Sequence, residues 1–417
     1  MPNTESGSEG SRPGSVPGPS LEGAVPASAA PASSAQASAA LESAAQAGAA
    51  PASAAPTSAA PTKPLEPKFD SPASLRALLD AEGLAMSKRF GQNFLVNPTS
   101  RARILEELRK VLSASPKSAA GAACKPAAAG KAAAADAAGA AESAPASNAG
   151  AQAPLDAAPA RTAAIWEIGP GIGSMTAMAL DSGLEVTAFE IDRGFARLLG
   201  RIFAGRPKFR LVEGDFLRTW KTELAAGRLP DAVFGNLPYN VASAMVALLI
   251  ERYPEAAGSG GPPPMVFTVQ KEAALRMAAK PGTKDYSAFS VLCASACRVR
   301  IAFDLAGGSF WPVPNVQSSL VVLEPRPDPI APADRLGFSA FVRSAFSSRR
   351  KTLKNNLKAA GRPEAEVAAA LEALGFSPSI RAEALRPEEL AAVYGRLKAA
   401  PVPPLPTGAP GPYDAEL

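Results

Sequence analysis

The chain contains no histidine among its 417 residues and only three cysteines. The first absence removes imidazole general bases, serine–histidine triads and histidine-ligated metal centres together. The cysteines, Cys124, Cys293 and Cys297, are odd in number and lack metal or redox spacing, so no metal site is expected. Cys293 and Cys297 stand one helical turn apart, which suits core residues better than a disulfide. No apolar run reaches membrane length, and the N-terminal stretch has no basic segment followed by an apolar core. It is also arginine-poor for an organellar transit peptide, so the expectation is a soluble cytoplasmic protein without a membrane partner.

Aromatic and β-branched residues are scarce in three stretches. Residues 1–68 are an Ala/Pro/Ser/Gly mixture, a similar tract runs over about 113–160, and the tail at 401–417 is rich in proline and glycine. Such segments cannot bury enough apolar surface to offset chain entropy, and the sequence predicts them to be disordered. Between them lie a predicted sheet domain over 69–325, interrupted by the Ala-rich tract, and a predicted helical domain over 326–400. Removing the low-complexity stretches leaves 37 basic against 28 acidic groups, an excess larger than the +5 of the whole chain. Eight of the basic groups fall between Arg335 and Arg362 with no acid among them: Arg335, Arg343, Arg349, Arg350, Lys351, Lys354, Lys358 and Arg362. Apolar residues recur through the same segment at helical spacing, which predicts amphipathic helices with a single-signed cationic face and a polyanion partner.

What is present is an alternation of strand-like and helix-like segments. Helical periodicity covers 71–81 and 98–112. After the Ala-rich tract, strands read at 164–168, 185–190, 209–213, 232–235 and 265–270, with helices near 175–181, 193–203, 241–251 and 271–279. A helix over 288–296 precedes further strands at 298–304 and 319–324, and a helix over 363–374 stops at Gly375. Alternation of this kind predicts an α/β fold with a doubly wound, mainly parallel sheet, followed by a small all-helical unit.

The strand ends carry the chemistry, as open α/β sheets require. The first runs into Glu167-Ile168-Gly169-Pro170-Gly171-Ile172-Gly173, where glycines let the backbone approach a ligand beneath a helix N-terminus. The second ends in Glu190, a carboxylate able to accept from both hydroxyls of a ribose, and the third in Asp215, able to hold an adenine amino group. This set alone fits a nicotinamide cofactor or S-adenosylmethionine, and the G-x-G-x-G spacing leans to the latter. The fourth strand ends in Asn236-Leu237-Pro238-Tyr239. Asn236 Oδ1 and the Leu237 carbonyl can accept from an exocyclic amino group, Pro238 stiffens the turn, and Tyr239 offers a ring for stacking. Taken alone, the tetrad also fits a polar strand-to-loop turn.

Together these motifs resemble the ribosomal RNA adenine dimethyltransferase family. The resemblance is carried by Lys88-Arg89-Phe90-Gly91-Gln92-Asn93-Phe94-Leu95, the glycine loop, Glu190-Ile191-Asp192, Gly214-Asp215, and Gly235 to Asn240. Gln270-Lys271-Glu272, the run from Phe310 to Ser318 with Pro312, Pro314 and Val316, and Arg349-Arg350-Lys351-Thr352 complete it. It covers about residues 84–396, outside the Ala-rich tract; the N-terminal extension, that tract and Gln317, where an acid is expected, depart from the family pattern. The resemblance implies a Rossmann-like S-adenosylmethionine-dependent methyltransferase sheet with its last strand antiparallel, plus a helical C-terminal domain. It implies dimethylation at N6 of two adjacent adenosines near the 3′ end of small-subunit rRNA, on an immature small ribosomal subunit, by a monomer. By position, Asn93, Leu95, Gly169, Gly171, Glu190, Asp215 and Asn236 would hold the cofactor. Asn236 to Tyr239 would carry catalysis, while Phe310 and Arg349, Arg350, Lys351 and Lys354 would meet the base and the RNA.

Histidine is not required for such a reaction, because the N6 proton becomes acidic once the methyl has been transferred. Three other readings remain: a large-subunit rRNA adenine methyltransferase of the macrolide-resistance type, a non-catalytic ribosome assembly factor, and a nicotinamide oxidoreductase. Leu237 and the Phe90-Gly91 form of the N-terminal motif argue against the first, and intact motifs against the second. The tetrad and the glycine spacing disfavour the third.

Overall fold

In the computed structural model, residues 67–86, 92–114 and 161–398 are described. The predicted low-complexity stretches, Cys124 and the motif residues Lys88 to Gly91 lie outside them, apart from a few flanking positions. Helix α1 (Pro72–Ala81) begins at Ser71, whose hydroxyl accepts from the Ser74 backbone N–H at 3.2 Å. A two-residue strand, β1 (Phe94–Leu95), leads into α2 (Pro98–Ala114). Asn97 caps α2 by accepting from the Ser100 N–H at 2.8 Å, with proline at the first helical position.

Then come β2 (Ala164–Ile168), α3 (Ser174–Asp181), β3 (Glu185–Glu190), α4 (Arg193–Ile202) and β4 (Phe209–Glu213). After α5 (Phe216–Ala225) the chain forms β5 (Ala232–Asn236), α6 (Ala242–Glu251), α7 (Tyr253–Ala256), β6 (Met265–Gln270) and α8 (Lys271–Met277). Next are α9 (Ala288–Ala296), β7 (Cys297–Leu305), β8 (Phe310–Trp311) and β9 (Ser318–Pro325). Helices α10 (Arg335–Ala345), α11 (Leu353–Ala359), α12 (Glu364–Ala373) and α13 (Pro387–Lys398) close the described chain.

Seven strands form one sheet in the order β4-β3-β2-β5-β6-β9-β7, parallel from β4 to β6. β9 runs antiparallel to both β6 and β7. The fold is therefore the α/β Rossmann-like one expected, antiparallel last strand included. Alternate residues feed opposite faces, as in any sheet buried on both sides. Ile165, Ala232, Phe234, Leu320 and Val322 join one apolar cluster, while Trp166, Val233, Val321 and Leu323 join the other. The direction of strand addition reverses between β2 and β5, so their carboxyl ends make the crevice where such sheets bind ligands. Gly235 sits there for lack of room: a Cβ on it would lie 2.4 Å from the Ile168 carbonyl oxygen of β2.

Helix α5 falls where no helix is expected. Its threonines and tryptophan weaken helix propensity, but Phe216 and Trp220 are buried one turn apart and Asp215 caps the N-terminus. A third apolar cluster unites α10 to α13 with Tyr286 and with Val291 of α9. The Tyr286 hydroxyl donates to the Leu385 carbonyl at 2.8 Å. Among the described residues no helix is long and apolar enough to cross a membrane.

Candidate active site

The crevice is built from four chain segments. Gly169 and Gly171 both take positive φ, +67° and +58°, so the loop after β2 folds back under the start of α3. The Phe94 ring of β1 lies against Gly171, where a Cβ would meet it at 2.9 Å. Ser174 in the first turn of α3 donates to the Leu95 carbonyl at 3.2 Å and fixes β1 over the loop. β1 is itself held by pairing of Phe94 with Trp311 and of Leu95 with Phe310. This two-residue ladder joins two motifs more than 200 residues apart and has no periodicity by which sequence could reveal it.

Two buried carboxylates line the crevice. Glu190, 4% exposed, accepts from the Gly171 N–H at 3.0 Å and from the Asp192 N–H at 2.9 Å. Burial raises its pKa from the ordinary carboxylate range to about 7 against the opposing pull of these bonds. Glu167 receives the Thr176 hydroxyl at 2.6 Å, and burial pushes its pKa up to about 8. The motif reading passes over Glu167 as a site residue; an acid two positions before the strand-end Gly169 is the signal that marks it. Asp215 is placed differently from the expectation. Its carboxylate accepts from the Leu217 N–H at 2.9 Å as the cap of α5, and it is not part of the crevice lining.

The tetrad meets this crevice at the end of β5. Asn236 Nδ2 donates to the Asn93 carbonyl at 2.6 Å, which sets the orientation of the amide. Its Oδ1 is buried and has no hydrogen-bond partner among the described residues. An unpaired buried acceptor costs roughly 1–3 kcal/mol, so it is retained where a ligand donor completes it. Leu237 is buried and its N–H donates to the Thr268 carbonyl at 3.1 Å, while Pro238 walls the crevice. Tyr239 is half-buried, its hydroxyl 2.6 Å from Ser318 Oγ. Burial raises its pKa above the usual phenol value. Asn93, Leu95, Gly169, Gly171, Glu190 and Asn236 are thus brought together around one crevice.

Other expected residues are placed otherwise. Phe310 is 2% exposed and packs in the core cluster on the β1 side of the sheet, so its ring is not presented to a base. The single-signed cationic face is also corrected. Arg335 pairs with Asp328 in the interior, Arg343 with Glu251 at 3.1 Å, and Lys354 and Lys358 with Glu364 at 3.0 and 2.6 Å. Arg349 bonds Glu383 and donates to the Lys284 carbonyl at 2.5 Å, tying the C-terminal helices to the loop after α8. The acids come from outside the basic segment, which is why the local charge count missed them. Arg350 and Lys351 are exposed and carry no ion pair among the described residues.

Comparison with known proteins places the chain among enzymes acting on RNA. The family described as ribosomal RNA adenine dimethylase matches residues 151–398. A ribosomal RNA small subunit methyltransferase A of Treponema denticola is 36% identical over 325 residues, covering 76% of this chain and 92% of that protein. Its counterpart in Rubrobacter xylanophilus is 41% identical over 233 residues, covering 56% of this chain and 84% of the relative. Among solved structures, a dimethyladenosine transferase from Plasmodium falciparum overlays with a TM-score of 0.45 at 23% identity, covering 55% of this chain and 88% of that one.

Proposed function

The chain belongs to the ribosomal RNA adenine dimethylase family, and from that premise we propose that it transfers methyl groups from S-adenosylmethionine to N6 of two adjacent adenosines near the 3′ end of small-subunit rRNA. The substrate is the immature small subunit, and the enzyme acts as a monomer. The names of the relatives support the choice of subunit. The observation that carries the reaction is the buried Oδ1 of Asn236 beside the glycine loop, unpaired among the described residues.

The crevice fits the cofactor. Gly169 and Gly171 line it with little but backbone, the Phe94 ring closing against Gly171, and Glu190 lines it as an acceptor for ribose hydroxyls. Asp215 lies outside this lining; one of its oxygens caps α5 and the other sits 4.0 Å from Arg218 Nε, so a role toward the adenine amino group needs the second oxygen to exchange Arg218 for the base. When bound, S-adenosylmethionine supplies a methyl on a sulfonium, the C–S electron pair staying on sulfur as the N–C bond forms. Adenine N6 is a poor nucleophile because its lone pair is delocalised into the ring. Asn236 Oδ1 and the Leu237 carbonyl accept its hydrogens and favour a pyramidal nitrogen whose lone pair points at the methyl. That geometry matters most in the transition state, so it speeds transfer rather than only tightening binding. Tyr239 stacks on the base after it leaves its helix. The surplus N6 proton then passes to water.

Replacing Asn236 with Ala tests this reading. The variant should fold and bind cofactor by calorimetry, yet lose transfer by about a hundredfold or more, as loss of a transition-state acceptor requires. Near-wild-type turnover in mass spectrometry of the treated rRNA would overturn it.

A further inference from the structure

We propose that Ser318 is a positioning residue that aims the Tyr239 ring and thereby governs the second methyl transfer; this rests on the base-clamp reading above. Ser318 is 1% exposed and opens β9, where it pairs with Gln270 of β6 and Leu305 of β7. Strands on both sides therefore fix its backbone. The preceding Gln317 is held as well, its carbonyl accepting from the Lys271 N–H at 2.8 Å. From this fixed point the Ser318 hydroxyl meets the Tyr239 hydroxyl at 2.6 Å. Tyr239 follows the proline-stiffened turn, so its remaining freedom is two side-chain torsions, and one bond at the ring's far end removes both. Ser319 points to the opposite face and donates to Asp304 at 2.6 Å, so adjacent serines separate the two roles.

The consequence falls on the second transfer. Unmodified N6 offers two hydrogens to the acceptors of Asn236 and Leu237, but the monomethylated nitrogen offers one. Stacking on Tyr239 then supplies a larger share of the orientation, and a misdirected ring costs the second step more than the first.

The test compares Ser318→Ala, Tyr239→Phe, the double variant, Ser319→Ala and Asn236→Ala on immature small subunits. Mono- and dimethyladenosine are counted by mass spectrometry, and S-adenosylmethionine affinity is measured by calorimetry. Ser318→Ala and Tyr239→Phe should each slow the second transfer about fivefold, the worth of one hydrogen bond, with cofactor affinity unchanged. The double variant should be no worse than either single one, because both remove the same bond. Ser319→Ala should keep the wild-type product ratio. A wild-type ratio in Ser318→Ala, or additive losses in the double variant, overturns the inference. Should Ser318→Ala fail to fold, Tyr239→Phe removes the same bond from its half-buried partner and decides by the same ratio. Activity of Asn236→Ala separates the two failures: if that variant is inactive while Ser318→Ala matches wild type, only the positioning role falls.

Discussion

Glu190 and Glu167 hold two carboxylates out of water in one crevice, and among the described residues each has only hydroxyl or backbone donors for company. Burial raises them to about 7 and about 8, above the ordinary value near 4.5. In the window from about pH 4.5 to 8 the folded chain binds more protons at these sites than the unfolded chain, so stability falls as pH rises. Cofactor binding runs the other way. Glu190 accepts two ribose hydroxyls best as the carboxylate, and the sulfonium is favoured by negative charge nearby. The unliganded protein should therefore melt at lower temperature at pH 8 than at pH 6, while calorimetric affinity for S-adenosylmethionine increases across pH 7. Affinity that is flat or falls between pH 6 and 8 would remove Glu190 from the ribose site. The Asn236 Oδ1, unpaired among the described residues, obeys the same logic: a residue that is costly in the free protein is one that a ligand completes.

At the scale of elements, the parallel strands were legible because each is a short run of largely β-branched and aromatic residues, closed by a glycine or an acid in all but β6, which ends at Gln270. The expected and observed bounds of β2, β3, β4 and β6 coincide. What was not legible depends on partners distant in the chain. The ladder between β1 and β8 has too few residues to show a period, and it carries Phe310 into the core instead of toward a base. Asp215 reads equally well as a ligand group or as a helix cap, and only α5 decides which bond it makes here. The cationic segment around α10 and α11 looked single-signed because Glu251, Glu364 and Glu383 lie outside it. That correction sharpens a prediction. Arg350 and Lys351 carry the exposed charge not already paired, so replacing both with Ala should weaken binding of the small subunit and lower the salt slope by about 1.5. Replacing Lys358, which is held by Glu364, should change the slope less. Equal effects of the two changes on the slope would mean that RNA displaces the ion pairs and that the free positions are not special.

Across the whole molecule, the sheet and the C-terminal helices are packed through shared residues. Tyr286 and Val291 precede the last strands of the sheet, yet both are buried in the cluster made by α10 to α13. Glu251 at the end of α6 accepts from Ser339 and Arg343 of α10, although α6 follows the Asn236 turn. The backbone enters the helices beside this seam, with the Arg326 N–H donating to the Ala296 carbonyl at 3.0 Å. A buried carboxylate, two apolar side chains and a tyrosine hydroxyl are therefore satisfied only when both parts are present. Ending the chain at Pro325 would expose Tyr286 and Val291 and leave Glu251 without its partners, penalties that α9 and α6 carry inside the sheet region itself. Such a shortened chain should melt well below the full protein and bind S-adenosylmethionine weakly, because α6 anchors the Asn236 turn. The full protein should unfold in one transition, with calorimetric and van't Hoff enthalpies in agreement. Two separate transitions, or a shortened chain that binds cofactor as tightly as the whole, would show that the helices are an independent RNA-binding attachment and that the seam couples nothing.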